Sequence, residues 1–247
     1  MALPHIPDNQ EPEKNPQPVL TTVALETTQL DATPSIARAR SVWMRAWHWC
    51  YLAFLKRTID ILVASVALLL IAPLLLVVAM AIRIDSPGPA LYRQKRVGRG
   101  GKVFTILKFR TMRYEPAGRL QMMKAEDGTM THKIRNDPRI TRVGAWLRRT
   151  SIDELPQLLN ILIGQMSLIG PRPELVEIVN RYEDWQHRRH EVRPGLTGWW
   201  QVSGRSDRPM HENTELDVFY VDHISPGLDF KILIRTIGVV TKGRGAF

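Results

Sequence analysis

ILVASVALLLIAPLLLVVAMAI, residues 61–82, decides the architecture. The run carries no charge and is almost wholly aliphatic. About 20 such residues are enough for a helix to cross a bilayer. The competing reading is a buried helix of a soluble protein, and a charge-free run of this length argues against it. Two features argue against a plain crossing. Pro73, preceded by Ala72, stands in the middle of the run, where proline removes a backbone hydrogen bond and bends a helix. Both flanks are also basic: Lys56 and Arg57 precede the run, and residues 83–119 hold ten Lys and Arg against Asp85 and Glu115. Short basic flanks stay on the cytoplasmic side. The expectation for residues 59–84 is therefore a re-entrant helix-break-helix hairpin that turns at Ala72-Pro73 and returns to the face it entered.

Upstream, RARSVWMRAWHWCYLAFLKR at 38–57 combines five cations with Trp43, Trp47, Trp49, Tyr51 and Phe54, and has no acid. Trp and Tyr favour the headgroup level, and Lys and Arg favour anionic lipid. Residues 38–58 are read as an interfacial amphipathic helix. Residues 1–37 are rich in Pro, Thr, Gln and Asn and hold Lys14 against five acids; they read as a disordered polar tail. No basic n-region followed by an apolar stretch lies near Met1, so no signal peptide is expected. The formal net charge is +10, and with the tail at −4 the remainder carries +14. Such a body suits an anionic partner: nucleic acid, lipid headgroups or a phosphorylated substrate. Cys50 is the single cysteine, which excludes an intrachain disulfide and a cysteine zinc site.

Residues 85–247 are expected to form a cytosolic domain on the membrane surface, mostly α with a small β-hairpin. Ala90–Val97 and Lys102–Arg110 read as strands around a turn at Gly98–Gly101. Asp137 followed by Pro138 looks like an N-cap and first helical residue, predicting a helix to about Arg149. A second helix is expected from Ser151, and a polar one over Glu174–Arg189. Leu228–Lys242 is amphipathic. Phe230, Leu233, Ile234, Ile237 and Val240 share one face, fit for a core or a bilayer, opposite Lys231, Arg235 and Lys242.

The segment RRTSIDELPQLLN, 148–160, has two readings. In one, Ser151 and Glu154 form a capping box and Asp153 merely complements the helix dipole. In the other, a helix N-terminus with Arg148 and Arg149 beside it is a phosphate site. An ionised Asp153 could then attack phosphorus, and the adjacent carboxylates of Asp153 and Glu154 could hold Mg2+. Two prolines and Gly170 stiffen the loop that carries Arg172, which suits bidentate phosphate binding. Arg193, Gln201 and Arg205 are the polar donors of VRPGLTGWWQVSGR, 192–205. Gly98–Lys102 lacks the spacing of a phosphate loop and is read as a hairpin turn.

Taken together, several segments resemble one family. They are KRTIDI (56–61), the run broken at Ala72-Pro73, LKFRTM (107–112), NDPRITRVGAWLRRTSIDELPQLLNIL (136–162) and MSLIGPRP (166–173), followed by RPGLTGWWQVSGR (193–205), ELDVFYV (215–221) and the closing KGRGAF. The chain resembles the bacterial sugar transferases that act on polyprenyl phosphate, the monotopic phosphoglycosyl transferases, over about 56–247. The resemblance implies a re-entrant membrane helix and a catalytic domain on the cytoplasmic face of the bacterial inner membrane. It implies an Asp153-Glu154 dyad whose aspartate takes a phosphosugar from a UDP-sugar, releases UMP, and passes the phosphosugar to the lipid phosphate, with Mg2+ required. Lys108, Arg148 and Arg172 match the family's basic positions; Arg193, Arg205 and Asp217 match polar ones. Ala72 departs from members with Ser before the membrane proline. Glucose or galactose donors are favoured over N-acetylated amino-sugars, in exopolysaccharide, capsule or O-antigen synthesis. Longer relatives carry extra spanning helices at the N-terminus; this chain reads as the minimal catalytic form, with self-association left open.

Two rivals were weighed. A basic membrane-tethered nucleic-acid module fits the charge, but no nucleic-acid motif is present. A scaffold of polysaccharide assembly that has lost catalysis is opposed by the intact Asp153-Glu154 pair.

Overall fold

The computed structural model describes residues 51–113, 123–124, 130–131, 137–203 and 213–241, all in one unit spanning Val42–Phe247. The tail 1–37, the interfacial stretch up to residue 50, Arg205 and the closing KGRGAF lie outside the described residues.

The apolar run lies in one α-helix, α1, Lys56–Asp85, entered through a π-helical turn at Tyr51–Leu55. The helix passes through Pro73 without a break, which corrects the helix-break-helix expectation. Proline removes one bond of the ladder, and the bonds around it keep the helical path, so the outcome is a continuous helix and not two. Asp60, Ala64, Leu68, Ile71, Leu75, Val78 and Ile82 recur every three or four residues and form a single inner stripe along the whole helix. The opposite side is bare: Leu69, Leu70 and Ile84 are 78%, 74% and 86% exposed. By length and composition α1 is able to cross a membrane. An apolar exterior this extensive is stable against lipid and costly in water.

Both ends of α1 are fastened to the same body. At the start, Arg57 donates to the carbonyls of Ile161 (2.6 Å) and Leu162 (2.8 Å). Asp60 Oδ1 accepts from Ser167 Oγ (3.0 Å) and Leu168 N (2.8 Å). At the far end, Arg110 donates to the carbonyls of Pro87 (2.6 Å) and Ser86 (2.7 Å), and Val143 N donates to Asp85 Oδ2 (3.0 Å).

The expected hairpin is present. Strands β1, Leu91–Val97, and β2, Val103–Phe109, pair antiparallel from Leu91↔Phe109 to Val97↔Val103. The turn uses Gly100 and Gly101 at φ 63° and 73°, left-handed conformations that glycine adopts without strain. Met123–Lys124 (β3) and Met130–Thr131 (β4) also pair antiparallel. A parallel pair was not foreseen: β5, Ser167–Ile169, and β6, Gly195–Thr197. Each is three residues long, too short to leave an alternating pattern.

Four helices follow the hairpin in the described core. α2 spans Arg142–Thr150 and α3 Gln157–Leu162; α4 is one turn, Val176–Val179, and α5 another, Trp199–Val202. The chain ends on α6, Thr214–His223, and α7, Pro226–Thr241. Three boundaries differ from expectation. Asp137 does not cap a helix: its carboxylate is taken by Arg139, and the helix starts later, with Thr141 Oγ1 accepting from Gly144 N. Ser151 forms no capping box; it sits at φ 58° and the chain continues as a 3-10 turn, Ile152–Glu154. Glu174–Arg189 is not one helix but α4 followed by a 3-10 segment, Asp184–His190, opened by a Glu183/Gln186 capping box.

The core has three parts. Ala64 meets Phe104, Ile106, Leu158, Ile161 and Met166; Val78 and Ile82 meet Phe109 and Leu147; Tyr51, Ile169, Val202, Tyr220, Ile224 and Ile232 form the third. In this last part Asp229 accepts from Tyr51 Oη (2.6 Å), Lys56 Nζ (2.5 Å) and Tyr220 Oη (2.7 Å), tying α7 to the base of α1. α7 turns Ile232 inward and leaves Phe230, Leu233, Ile234 and Ile237 exposed, so its expected apolar face is not packed on the core. Lys231 and Arg235 instead lie over the Trp199 ring.

Candidate active site

Four segments converge on the Ile152–Glu154 turn. α2 reaches it because Gly144 lies directly against the strand end: a Cβ there would stand 2.0 Å from the Thr111 carbonyl oxygen. This contact carries Arg148 to Thr111, with Nε donating to Oγ1 at 2.9 Å. Ser151 then takes the left-handed conformation, the one non-glycine positive φ among the described residues. That costs about 1 kcal/mol or more and is typical of sites where geometry is functional. It ends α2 and turns Asp153 and Glu154 toward β2. α3 is held beside β2 by the buried Asn160, whose Oδ1 accepts from Leu107 N (3.0 Å) and whose Nδ2 donates to the Thr105 carbonyl (2.8 Å).

Glu154 is locked. Lys108 Nζ donates to its Oε1 at 2.7 Å; Arg172 donates to Oε1 at 2.7 Å and to Oε2 at 3.3 Å. Burial opposes ionisation here, but Arg172 and Lys108 outweigh it and hold the carboxyl well below the usual carboxylate range. Glu154 in return holds the Arg172 guanidinium above its ordinary value. Burial lowers the Lys108 ammonium, with Glu154 opposing.

Asp153 is the opposite case. No hydrogen bond reaches its carboxylate among the described residues, although Lys108, Arg172 and Arg148 are close enough to act on it. Burial first, then the Glu154 charge, push its pKa up to about 6 despite those cations. Burial thus outweighs the cations that were expected to keep this group fully ionised, and at neutral pH it is still mostly a carboxylate.

Arg172 is placed from behind. A Cβ on Gly195 would stand 2.1 Å from Gly170 N, so β6 touches the loop backbone to backbone. Arg189 donates to the Arg172 carbonyl (2.6 Å) and to Tyr182 Oη (2.5 Å). Asp217 lies 2.6 Å from Arg189 Nη2, both side chains being 1% exposed. Asp217 is therefore in the wall of the site and out of reach of a phosphate, a correction to its expected place. Arg193 and Gln201 also find partners elsewhere: Arg193 Nε donates to the Gly164 carbonyl (3.1 Å), and Gln201 Nε2 to the Leu196 carbonyl (3.1 Å). Of the expected set, the structure brings together Lys108, Arg148, Asp153, Glu154 and Arg172. Ala72 and Pro73 lie on the exposed side of α1.

Sequence reasoning missed Asp60, Arg96, Asn160 and Arg189. Two signals were present: Asp60 is the acid just before a charge-free run, and Asn160 interrupts the apolar QLLNIL.

No group of three or more His, Cys, Asp and Glu able to hold a metal occurs among the described residues. The acids at the turn offer an oxygen-only donor set of the kind Mg2+ takes, the unpartnered Asp153 carboxylate and the partly committed Glu154.

The sequence family described as bacterial sugar transferase matches residues 51–243. The exopolysaccharide production protein ExoY of Rhizobium meliloti (strain 1021) is 41% identical over 198 residues, covering 78% of this chain and 88% of that one. The UDP-glucose:undecaprenyl-phosphate glucose-1-phosphate transferase of Escherichia coli (strain K12) is 41% identical, covering 76% of this chain and 41% of that one. The undecaprenyl-phosphate galactose phosphotransferase of Salmonella typhimurium (strain LT2) is 41% identical, covering 78% of this chain and 42% of that one. This chain spans about two fifths of the length of these last two. A match over most of the chain, with the motif-bearing segments gathered at one turn, identifies this protein as a member of the bacterial sugar transferase family.

Proposed function

We propose that the protein moves a hexose-1-phosphate from a UDP-sugar to a polyprenyl phosphate, with Asp153 as nucleophile. The observation that carries this is the contrast at the turn: Glu154 is locked between Lys108 and Arg172, while Asp153 has no hydrogen-bond donor among the described residues.

An Asp153 carboxylate oxygen attacks the phosphorus that bears the sugar. The bond from that phosphorus to the bridging oxygen breaks, and UMP leaves with the electron pair. An oxygen of the lipid phosphate then attacks the same phosphorus, Asp153 departs as carboxylate, and the product is polyprenyl diphosphate-sugar. Arg148, Lys108 and Arg172 neutralise charge on the phosphoryl oxygens in both displacements. Glu154 holds Lys108 and Arg172 in place before substrate arrives, so little reorganisation accompanies the reaction. Mg2+ suits the site as an ion shared between one or two carboxylates and substrate phosphates; Asp153 and Glu154 would hold it, and it would supply further neutralisation of the diphosphate. The names of the relatives support glucose or galactose as the sugar, undecaprenyl phosphate as the acceptor, and a place in exopolysaccharide or capsule synthesis.

We further infer that the domain lies on the cytoplasmic face of the inner membrane, with α1 embedded in that face and both its ends on the cytoplasmic side. A 30-residue helix is about 45 Å long. Polar fastenings to one domain at both its ends support ends on one side of the bilayer. The bare apolar faces of α1 and α7 are the surfaces that would meet lipid.

The experiment is UMP release from UDP-glucose and UDP-galactose with undecaprenyl phosphate and Mg2+, comparing the protein with Asp153→Asn. Release by the first, loss of about 10³-fold or more in the second, and a phosphohexose adduct on intact mass are expected. Equal release by both would remove Asp153 from the mechanism. Thiol labelling of single cysteines at positions 58 and 84, on a Cys50→Ser background in inverted vesicles, is expected to modify both. Labelling of one alone would establish a crossing helix.

A further inference from the structure

Two buried donors beside the cleft have no partner. Arg96 Nε, on β1, and Gln157 Nε2, at the start of α3, make no hydrogen bond among the described residues. Gln157 is 2% exposed. A buried N–H without an acceptor is costly, and such groups in a native fold call for an explanation. These two share one space. Arg96, Lys108, Gln157 and Arg172, with Ile106 and Pro173, line a recess of about 10 Å3, room for one water-sized group. The Arg96 terminus is held at its far end only: Nη2 donates to Gln94 Oε1 at 2.7 Å, and Nη1 makes longer bonds of 3.4 Å to the Pro173 carbonyl and to Glu174 Oε1, its ion-pair partner, which leaves Nε without a partner among the described residues.

We propose that this recess receives one oxygen of a phosphate group, bound by Arg96 and Gln157 together with Lys108 and Arg172. The assignment rests on the phosphosugar-transfer reading and deepens it. Arginine and lysine are donors without acceptors, and the free Gln157 atom is a donor as well. A phosphate oxygen accepts from several donors at once and brings the negative charge that three neighbouring cations favour; a water is neutral and must place its own protons among them. The location agrees. Lys108 and Arg172 line the recess and also hold Glu154, which places the recess beside the Ile152–Glu154 turn. Arg96 and Gln157 are thus additional substrate-binding residues, and the phosphate belongs either to the nucleotide-sugar or to the lipid acceptor.

The test uses the full chain in nanodiscs with Arg96→Lys and Gln157→Met, the second keeping the volume of the side chain. UDP affinity is measured by calorimetry, folding by thermal melt, and KM separately for UDP-sugar and polyprenyl phosphate. Each variant is expected to weaken phosphate recognition about tenfold. A loss in UDP affinity and donor KM assigns the oxygen to the nucleotide-sugar; a loss in acceptor KM alone assigns it to the lipid phosphate. Folded variants with UDP affinity and both KM values unchanged would show that the recess holds water only, with UMP release by the parent protein left standing. A parent protein that neither binds UDP nor releases UMP removes the transfer reading and this one together. Where Arg96→Lys fails to fold, Gln157→Met decides the matter.

Discussion

Arg172 belongs to two charge clusters that differ in kind. Its guanidinium faces forward to Glu154, Lys108 and Asp153; its carbonyl faces back to Arg189, which Asp217 neutralises. The rear cluster is closed: Asp217 faces Arg189 at 2.6 Å, both are shut off from water, and burial raises the Asp217 carboxyl to about 6 despite that cation. The front cluster is left open, since Glu154 is satisfied and Asp153 is not. Similar residue types therefore build a wall in one place and a reactive centre in the other, and unmatched valence is what separates them.

The contrast is sharpest in stability. Asp217→Asn removes the carboxylate that faces the buried Arg189, and a loss of about 3–5 kcal/mol is expected in denaturant melts. Asp153→Asn removes a carboxylate that burial already disfavours. At neutral pH it is expected to stabilise the fold by about 1–2 kcal/mol while abolishing transfer. Reversed signs in the two melts would break the distinction between wall and centre.

Next comes the pH profile. In the proposed mechanism the reactive form of Asp153 is the ionised one, so kcat/KM for the donor should rise with pH through about 6 and level off above it. Glu154→Gln removes the like charge beside Asp153 and frees Lys108 and Arg172 to act on it, so the acid limb should move to lower pH. An unmoved limb would mean that Glu154 does not contribute to raising Asp153.

The smallest effect concerns the bend between the clusters. Ser151→Gly relieves a left-handed serine at φ 58°, and a gain of up to about 1 kcal/mol with unchanged turnover is expected from melts and UMP release. A drop in turnover would show that the turn must be held rigid by a side chain.

What could be read in the sequence follows the range of the interactions. The β1–β2 hairpin was legible because Gly98–Gly101 punctuates it locally, and α7 because its apolar period runs for sixteen residues. Asp153 and Glu154 stood out by adjacency. The Ser151 capping box was a sound local pattern that lost to a distant one: Lys108 and Arg172 lie 46 and 18 residues from Glu154 and claim the side chain the box would have used. Asp137 lost its capping role to a residue only two positions on, Arg139, which claims its carboxylate. Asn160, Arg189 and Asp60 act across long separations, so a window of neighbouring residues marks Asp60 and Asn160 only as odd polar residues in apolar surroundings and does not reveal their partners. Asp217 was expected among the substrate-binding residues and lies instead against the buried Arg189, because a motif carries no information on which side of a loop its carboxylate lies.

Asp60 sits one turn into the apolar helix and accepts from Ser167 and Leu168, four residues ahead of Arg172 along the chain. A flexible connection would let the catalytic domain ride at many heights above its anchor. Here the base of α1 and the strand leading to the Arg172 loop share a buried carboxylate, so the Ile152–Glu154 turn has a fixed altitude relative to the apolar helix. On the proposed mechanism, with α1 in the membrane, an acceptor whose phosphate lies at headgroup depth would meet Asp153 by sliding in the plane of the bilayer, a search in two dimensions instead of three.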